Sequence, residues 1–473
     1  MSKDADFLAS LRLILGAQDL LTLKETREPF ETDWRGRFRG NACAVALPRT
    51  NEQISQIITC AQRCNIALVP QGGNTSLVGG AVPNKNADAL IISTRRMNKI
   101  LAVDPMNKTI LVEAGVCLAD LQKAAQDANL LFPVHLGSAQ SCQIGGMIAS
   151  NAGGLHVLRY GSMRQNILGL EVVLPDGQIW NGLRTLRKDN SGYDLKQLFI
   201  GSEGTLGVIT KAVLALKPRP QGYITAWIGL KSLKAALKLL QSMQSLAGEW
   251  LNAFEFTSRF GLELALKHFP DTMRDPFAQP YNWYILLEIA PLTLAETMQN
   301  MTERILMKHV QEGLIQDVVL AQSEQQRRRF WALREEGIVL GQASEGYSIK
   351  HDVAVPLSRL EDFIHKGCIE ATKAIPGLRP HPFGHLGDGS IHFNFSAPLG
   401  MKDTDFANHS PILEKIIYTL CEEMDGTISA EHGIGALKTK LLQKSKTSIE
   451  LTIMRLIKQS FDSKNQFNPG KIL

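Results

Sequence analysis

The sequence predicts an α+β protein of two or three domains, and three observations carry that expectation. At 473 residues the chain is too long for one ordinary core, since a domain takes about 150 residues. Helical and strand-like patterns alternate as far as about residue 215. After KPRPQG (217–222) the texture changes to amphipathic helices and apolar strand-like runs, which places a domain boundary at about 220.

In chain order, residues 1–40 read as a helical lead-in ending at Asp33-Trp34-Arg35-Gly36. From 45 to 70 the pattern is strand, helix, strand: VAL, a Pro-Arg-Thr-Asn start signal, EQISQIITCAQRC with apolar residues at helical spacing, then IALVP. NKILAVDPMNKTILVEAG gives two strands around a DPMNK turn, and CLADLQKAAQDANL a helix. LGLEVVLPDGQIW reads as a hairpin around Pro175-Asp176-Gly177. Beyond the boundary, KSLKAALKLLQSMQSL reads as a helix and NWYILLEIAP as a strand. The tail FDSKNQFNPGKIL ends in a tight Asn468-Pro469-Gly470.

Apolar residues make up 44% and charged residues 21% of the chain, which is ordinary globular usage. The formal charge of +5, from 51 basic and 46 acidic residues, is too small an excess to argue for nucleic acid. The run Arg327-Arg328-Arg329 reads as a solvated helix face. Seven cysteines, an odd number without a CxxC, fit a reducing compartment. No apolar run reaches the ~18 residues of a membrane span. The N-terminal MSKDADFLASLRLIL lacks a signal-peptide charge pattern. The expectation is a cytoplasmic protein, with peripheral contact at the inner membrane face left open.

Residues 66–210 hold 18 of the 39 glycines. The first cluster, PQGGNTSLVGGAVP, follows a strand and carries four glycines, two hydroxyls and no charge. A pyrophosphate held by backbone N–H groups needs that composition, because a concave array of amide dipoles replaces basic side chains. LGSAQSCQIGGMIASNAGG (136–154) and FIGSEGTLGVIT (199–210) repeat the pattern. No GxGxxG opens a helix after a strand and no P-loop occurs, so neither a Rossmann dinucleotide site nor a nucleotide triphosphate site is supported.

The second signal is HPFGHLGDGSIHFNF (381–395). On a strand, Ser390, His392 and Asn394 share one face while Ile391, Phe393 and Phe395 share the other. The Gly387-Asp388-Gly389 turn can fold His385 towards His392, giving a metal half-site of two imidazoles. GTISAEHGIGALK (426–438) offers Glu431 and His432 as further donors, provided the chain bends at Gly433 and Gly435. A nitrogen and oxygen set without thiolate suits Zn²⁺, and also Mn²⁺, Co²⁺ or Fe²⁺.

Taken together, PQGGNTSLVGG, IGGMIASNAGG, YGSMRQNILGLEVVLPDG and GSEGTLGVIT resemble the FAD-binding domain of the vanillyl-alcohol-oxidase superfamily. Within it, the chain from about Asp33 to NPGKIL resembles the D-lactate and D-2-hydroxyglutarate dehydrogenase branch. The resemblance implies a two-lobed PCMH-type FAD-binding domain, an α+β substrate (cap) domain with an antiparallel sheet, and a C-terminal segment returning to the FAD domain. The corresponding boundaries are a lead-in over 1–40, the FAD domain over 41–220, the cap domain with the metal motif over 221–425, and 426–473 completing the active site.

The cofactor residues implied in the first loop are Pro70, Gly72, Gly73, Asn74, Thr75, Ser76, Gly79 and Gly80. The middle cluster supplies Pro133, Gly137, Ser138, Gly145, Gly146, Ala149, Asn151, Gly153, Gly154, Tyr160 and Gly161. Glu203, Gly204, Gly207, Ile209 and Asn468 complete the set. Many members attach FAD through a histidine in the first loop; here Asn74 stands in that loop, so non-covalent FAD is expected, and Cys142 reads as a buried inert thiol. The resemblance further implies His385, His392 and Glu431 as ligands of a divalent metal, zinc first, and His432 as the base.

FWALREEG and EGYSIKHDVAVP supply Arg334 and Lys350, which resemble substrate-facing residues of the family, and Asn394 offers a further hydrogen bond. An arginine fork matches a carboxylate and lysine adds a point charge. The expected reaction is oxidation of a D-2-hydroxy acid by hydride transfer to flavin N5, with D-2-hydroxyglutarate preferred and D-lactate the alternative. Members acting on the diacid tend to carry a hydroxyl residue four after the arginine, where this chain has Ile338. The expected electron acceptor is an electron-transfer flavoprotein, a quinone or a cytochrome, and a homodimer is one assembly open to the chain. Two rival readings are a zinc hydrolase, which leaves the glycine-rich half unexplained, and a non-catalytic FAD subunit, which should have lost the metal motif.

Overall fold

The computed structural model describes residues 3–85, 89–293 and 295–473. The chain divides into two compact units, one of residues 1–154, 160–219 and 431–473, the other of 155–159 and 220–430.

The first unit has two lobes. Its smaller sheet joins β1 (Leu20–Leu21), β2 (Ala44–Ala46), β3 (Ala67–Gln71) and β4 (Ala89–Ser93) in the order β1-β2-β4-β3. β4 runs parallel to both β2 and β3, so β2 and β3 need a crossover. The helix Asn51–Cys64 supplies it: Thr50 caps its start by accepting from Gln53 N, and Asn65 ends it at φ 55°. Ile54, Ile57, Ile58 and Ala61 face inward at helical spacing. The two-residue β1 was not foreseen inside the helical lead-in.

The larger sheet contains β5 (Ile100–Asp104) and β6 (Thr109–Glu113). The short β7 (Leu130–Leu131) lies outside it, and β8 (Ile167–Val173), β9 (Ile179–Gly182) and β10 (Val208–Ala215) complete it in the order β5-β6-β10-β8-β9. β11 (Lys217–Pro218) pairs with β7. The C-terminal tail returns to the small sheet, where Leu68 N donates to Gln466 O and Asn468 N to Leu68 O, both at 2.7 Å.

The second unit is built on one antiparallel sheet. Its strands are β12 (Ile224–Leu230), β13 (Leu251–Ser258), β14 (Trp283–Ile289), β15 (Asp317–Leu320), β16 (Ser348–Ala354), β17 (Arg379–His385) and β18 (Ser390–Ser396). They run in the order β15-β12-β14-β13-β17-β18-β16. Pro380 and Pro382 are tolerated in β17 because β13 pairs with it only at residues 383–385. The sheet is two-faced. Phe254, Phe256, Ile349, Val353, Ile391, Phe393 and Phe395 pack under helices Leu233–Ala247, Leu360–Ala374 and Ser410–Glu423. Burying each phenylalanine stabilises the unit by about 1.5–3 kcal/mol.

Helices Arg259–His268 and Glu324–Ala332 pack on the other face through Leu262, Ala265, Phe330 and Trp331. Glu288, fully buried on β14, anchors the second of them by accepting from Arg327 Nε at 2.8 Å and Trp331 Nε1 at 2.6 Å. The run at 327–329 is therefore not one solvated face. Arg327 turns inward to Glu288 and lies over the Tyr223 ring, while Arg328 stays out with Glu324.

At the end of that helical stretch Glu345 accepts from Lys267 at 2.6 Å, His268 at 2.7 Å and Arg379 at 2.6 Å. The Lys267 hydrogen bond, then those of Arg379 and His268, hold its carboxyl near about 2 against an ordinary 4.5, over the opposing effect of burial. A depressed carboxyl contributes stability above its unfolded value and loses it as pH falls towards the folded one. Glu345→Gln is expected to lower the melting temperature at pH 7, and the gap to the wild type should close between about pH 4.5 and 2. Thermal melts across that range measure it.

Candidate functional site

In the first unit the glycine clusters enclose one cavity of about 330 Å³. Its wall comes from residues 70–77 and 80–81 at and beyond the end of β3, from Thr94, from 136–138, 142–143, 145–147, 149–150 and 152–153, from 202–204 and 207–209 before and within β10, and from Glu431 and His432. Among the described residues no lysine or arginine lines it. The polar lining is backbone, hydroxyls such as those of Thr75, Ser76 and Ser138, the amides of Gln71, Asn74 and Gln143, the carboxylates of Glu203 and Glu431, and the His432 imidazole.

The loop conformation follows from close approach. A Cβ on Gly73 would sit 1.9 Å from Ser141 O, so only glycine lets the first cluster lie on the second. Asn74 takes φ 55° and donates from Nδ2 to Thr32 O at 2.8 Å. The Gln71 amide donates to Phe30 O and Ala81 O, both at 2.8 Å, and Ser76 Oγ accepts from Val78 N at 3.3 Å.

Residues 431–437 form neither helix nor strand. The alternation of an ideal strand therefore does not force Glu431 and His432 apart. Gly433 at φ 82° and Gly435 at φ 52° provide the bends. Glu431 Oε2 accepts from Gly154 N at 3.1 Å, and His432 Nε2 lies 3.6 Å from Glu431 Oε1. Glu203, at φ 50°, accepts from Ile434 N at 2.8 Å and Gly435 N at 2.7 Å. Burial pushes the Glu203 carboxyl up, opposed by those amides and by Lys438 and Lys471. Burial likewise brings the Lys471 ammonium down to about 8, with Glu203 opposing.

In the second unit the face opposite Phe393 and Phe395 carries a polar set on strands β13, β17, β18 and β16. Register places Glu255 beside His385, His385 beside Ser390, His392 beside Asp352, and Asn394 between His381 and Lys350. The His385 and His392 rings lie 5.6 Å apart. Asp352 and His392 each offer a ligand atom within 4.8 Å of the other. His385 Nδ1 bonds Glu255 Oε1 at 2.9 Å, the carboxylate–imidazole pairing that fixes the tautomer of a metal-binding histidine.

Arg334 lies in a π turn, Leu333–Gly337, and donates from Nη2 to Glu255 Oε2 at 2.8 Å. It is 4% exposed, and its Nε finds no partner among the described residues. Asn394 donates to Gln342 Oε1 at 2.8 Å. Burial, then Arg334 and Lys350, drive His381 down to about 3, so it is neutral.

Of the expected cofactor residues, Gly79, Pro133, Asn151, Gly154, Tyr160, Gly161 and Asn468 lie outside the cavity lining. Several of these hold backbone instead. Asn151 Oδ1 accepts from Arg164 N at 3.0 Å, Gly79 at φ 70° makes room for the Phe38 ring, and Asn468 Nδ2 donates to Gly80 O at 2.8 Å. Sequence reasoning took 137–154 and 201–209 as lining segments but did not single out Met147 and Val208, and it missed Leu136; their apolar character carries no motif. It also missed Asp352 and Glu255, although alternation from Lys350 along β16 pointed to Asp352. Cys142 lines the cavity with its thiol pushed up by burial and its Sγ 3.7 Å from Met147 Sδ.

Residues 42–182 match the FAD binding domain family and 219–472 the C-terminal domain of FAD linked oxidases. The chain is 36% identical over 480 residues to the mitochondrial D-2-hydroxyglutarate dehydrogenase of Arabidopsis thaliana, covering 100% of this chain and 82% of that protein. It is 37% identical to the Rattus norvegicus mitochondrial enzyme of the same name, covering 98% and 84%. A solved p-cresol methylhydroxylase shares the fold at a TM-score of 0.76 and 16% identity, covering 100% of this chain and 97% of that one. The expected cytoplasmic location is corrected: both relatives are named as mitochondrial proteins.

Gly73→Ala puts a methyl group onto Ser141 O. Overpacking of this kind costs about 1–3 kcal/mol, or roughly 5- to 150-fold if it falls on affinity. The purified variant should carry less FAD than the wild type, read as the ratio of flavin to protein absorbance.

Proposed function

We propose a mechanism from the premise that this chain belongs to the FAD-linked oxidases, in their D-2-hydroxyglutarate dehydrogenase branch, and is an FAD-dependent D-2-hydroxy-acid dehydrogenase. One observation carries the reading: His432 and Glu431 line the same cavity as the glycine loops. That cavity suits a large anionic cofactor, because its walls approach through glycines and it presents backbone rather than bulk. FAD is held there without a covalent bond, since the first loop offers no histidine. FAD, when bound, supplies at N5 the acceptor for the hydride leaving C2 of the substrate.

The chain's own residues do the rest. His432 takes the hydroxyl proton, and its Nε2 lies 3.6 Å from Glu431 Oε1. His385, His392 and Glu431 are the ligands of a divalent cation, zinc first, and Asp352 joins the candidates through its place next to His392. The nitrogen and oxygen donors suit such an ion, and Glu255 behind His385 is the partner a ligating imidazole needs. The cation, when bound, supplies Lewis acidity at the substrate hydroxyl.

Arg334 holds a substrate carboxylate. Its buried Nε–H is a donor without an acceptor among the described residues, and such a group calls for a ligand. Lys350 adds charge and Asn394 a hydrogen bond. D-2-hydroxyglutarate is the substrate the relatives' names support. D-lactate is the second reading, favoured by the apolar Ile338. Electrons leave to an electron-transfer flavoprotein, a quinone or a cytochrome.

His432→Ala should keep its FAD and slow anaerobic flavin reduction by D-2-hydroxyglutarate by about 10²–10⁴-fold. An unchanged rate would remove the base assignment. Chelation should abolish reduction, and add-back of Zn²⁺, Mn²⁺, Co²⁺ or Fe²⁺ should restore it. Loss that no metal reverses, or no loss at all, counts against the cation. Lys350→Met should raise KM for the diacid about tenfold with kcat nearly unchanged.

A further inference from the structure

Glu203 presents a problem of charge. It is the acidic residue of the GSEGTLG turn, and it lines a cavity read here as a pyrophosphate cradle. A carboxylate in that wall repels a diphosphate unless its charge is engaged elsewhere. It is engaged elsewhere: Oε1 accepts from Ile434 N at 2.8 Å and Oε2 from Gly435 N at 2.7 Å. Two charge-assisted bonds to adjacent amides fix a backbone segment in both position and orientation.

The surroundings are built for that contact. Glu203 takes φ 50°, a conformation that a non-glycine residue holds only when its neighbours over-determine it. They do so here. Its N donates to Ala149 O at 2.8 Å, and its O accepts from Asn468 Nδ2 at 2.7 Å. A Cβ on Gly433 would lie 2.8 Å from Glu203 Oε1, and one on Gly80 3.2 Å from Oε2. The carboxylate thus sits against two glycine backbones, one in the first cofactor loop and one next to His432. A second strap lies beside it, where Val78 O accepts from Ala436 N at 2.9 Å and Leu437 N at 3.2 Å.

We propose that Glu203 is a positioning residue, whose carboxylate clamps the segment bearing His432 onto the glycine turns of the flavin cradle so that base and cofactor site form one rigid piece. The proposal rests on the reading of His432 as the base. Glu203 touches neither reacting atom. It acts through the backbone of 434 and 435, and the Lys438 and Lys471 charges face it from the same unit.

The test compares the wild-type and Glu203→Gln holoenzymes. The amide variant keeps the shape but offers an N–H where one backbone N–H needs an acceptor. Glu203→Gln should retain FAD, judged by flavin to protein absorbance. Flavin reduction at saturating D-2-hydroxyglutarate should slow by roughly 10–100-fold, with KM moving less than about threefold. Amide exchange at 434–437 should rise about tenfold or more while β8 and β10 exchange as before. A general loss of stability would raise exchange everywhere and leave no such split. Wild-type rate or wild-type exchange in the variant overturns the proposal. So does fast exchange of the Ile434 and Gly435 amides in the wild-type holoenzyme, which needs no variant to fold. An innocent His432→Ala would sink the base assignment yet leave the exchange result standing, so the two failures are separable.

Discussion

A carboxylate taken out of water must find donors for its lone pairs or lose its charge. Glu255 is 1% exposed and meets that demand with Arg334 on Oε2 and with His385 Nδ1 2.9 Å from Oε1 and 2.8 Å from Oε2. Everything on the polar face of the second unit is arranged around this constraint. The π turn at 333–337 delivers the guanidinium, the β13–β17 pairing delivers the imidazole, and both groups lose rotational freedom in the process. Burial alone would raise the Glu255 carboxyl. His385 and Arg334 outweigh burial and bring it below its ordinary value, so the group stays ionised. Glu288 repeats the logic one strand further along, anchoring Arg327 and Trp331. Glu255 and Glu288 each fasten a neighbouring segment to the sheet.

The first unit achieves the same rigidity by a different route. Its cavity wall carries no lysine or arginine among the described residues, so position comes from backbone contact instead of ion pairs. Gly73 against Ser141 and Gly145 against Ala114 bring main chains closer than any side chain permits. The entropy that glycine loses on ordering is offset by backbone bonds such as Gly145 N to Ala114 O at 2.8 Å. The result is a concave surface of amides whose shape is set before a ligand arrives.

Much of this was legible in the sequence where a period or a turn carries the physics. Strand alternation alone separates His392 and Asn394 from Phe393 and Phe395, because successive side chains point to opposite faces. The helix Asn51–Cys64 and the hairpin at 175–177 were likewise written in local chemistry. What escaped depends on pairing between distant strands. Glu255 lies 130 residues from His385, and only the β13–β17 register joins them. Asp352 meets His392 through the β16–β18 register. Asn468 was legible as a cofactor residue by resemblance, yet its amide bonds Gly80 O and Glu203 O. A one-residue slip of any of these pairings would turn the polar set to the wrong face.

Ile338 shows how such context redistributes roles. The family resemblance leads to the expectation of a hydroxyl residue at this position, and a buried hydroxyl here would need a partner. Ile338 is instead fully buried in the cluster of Trp331, Leu333 and Phe383, where it supports the helix that follows Arg334. The next turn of that helix restores a polar contact: Gln342 accepts from Asn394 and donates to Ser396. The amide of Asn394 is thereby oriented from behind, with its oxygen left to act as an acceptor. Under the proposed substrate roles, the choice between a short and a long 2-hydroxy acid rests on the cations Arg334 and Lys350. Arg334 keeps a buried N–H in reserve and Lys350 stands across from Asn394. Arg334 already pairs with Glu255, so its remaining Nε–H, buried and without an acceptor among the described residues, is the donor that a substrate oxygen would satisfy.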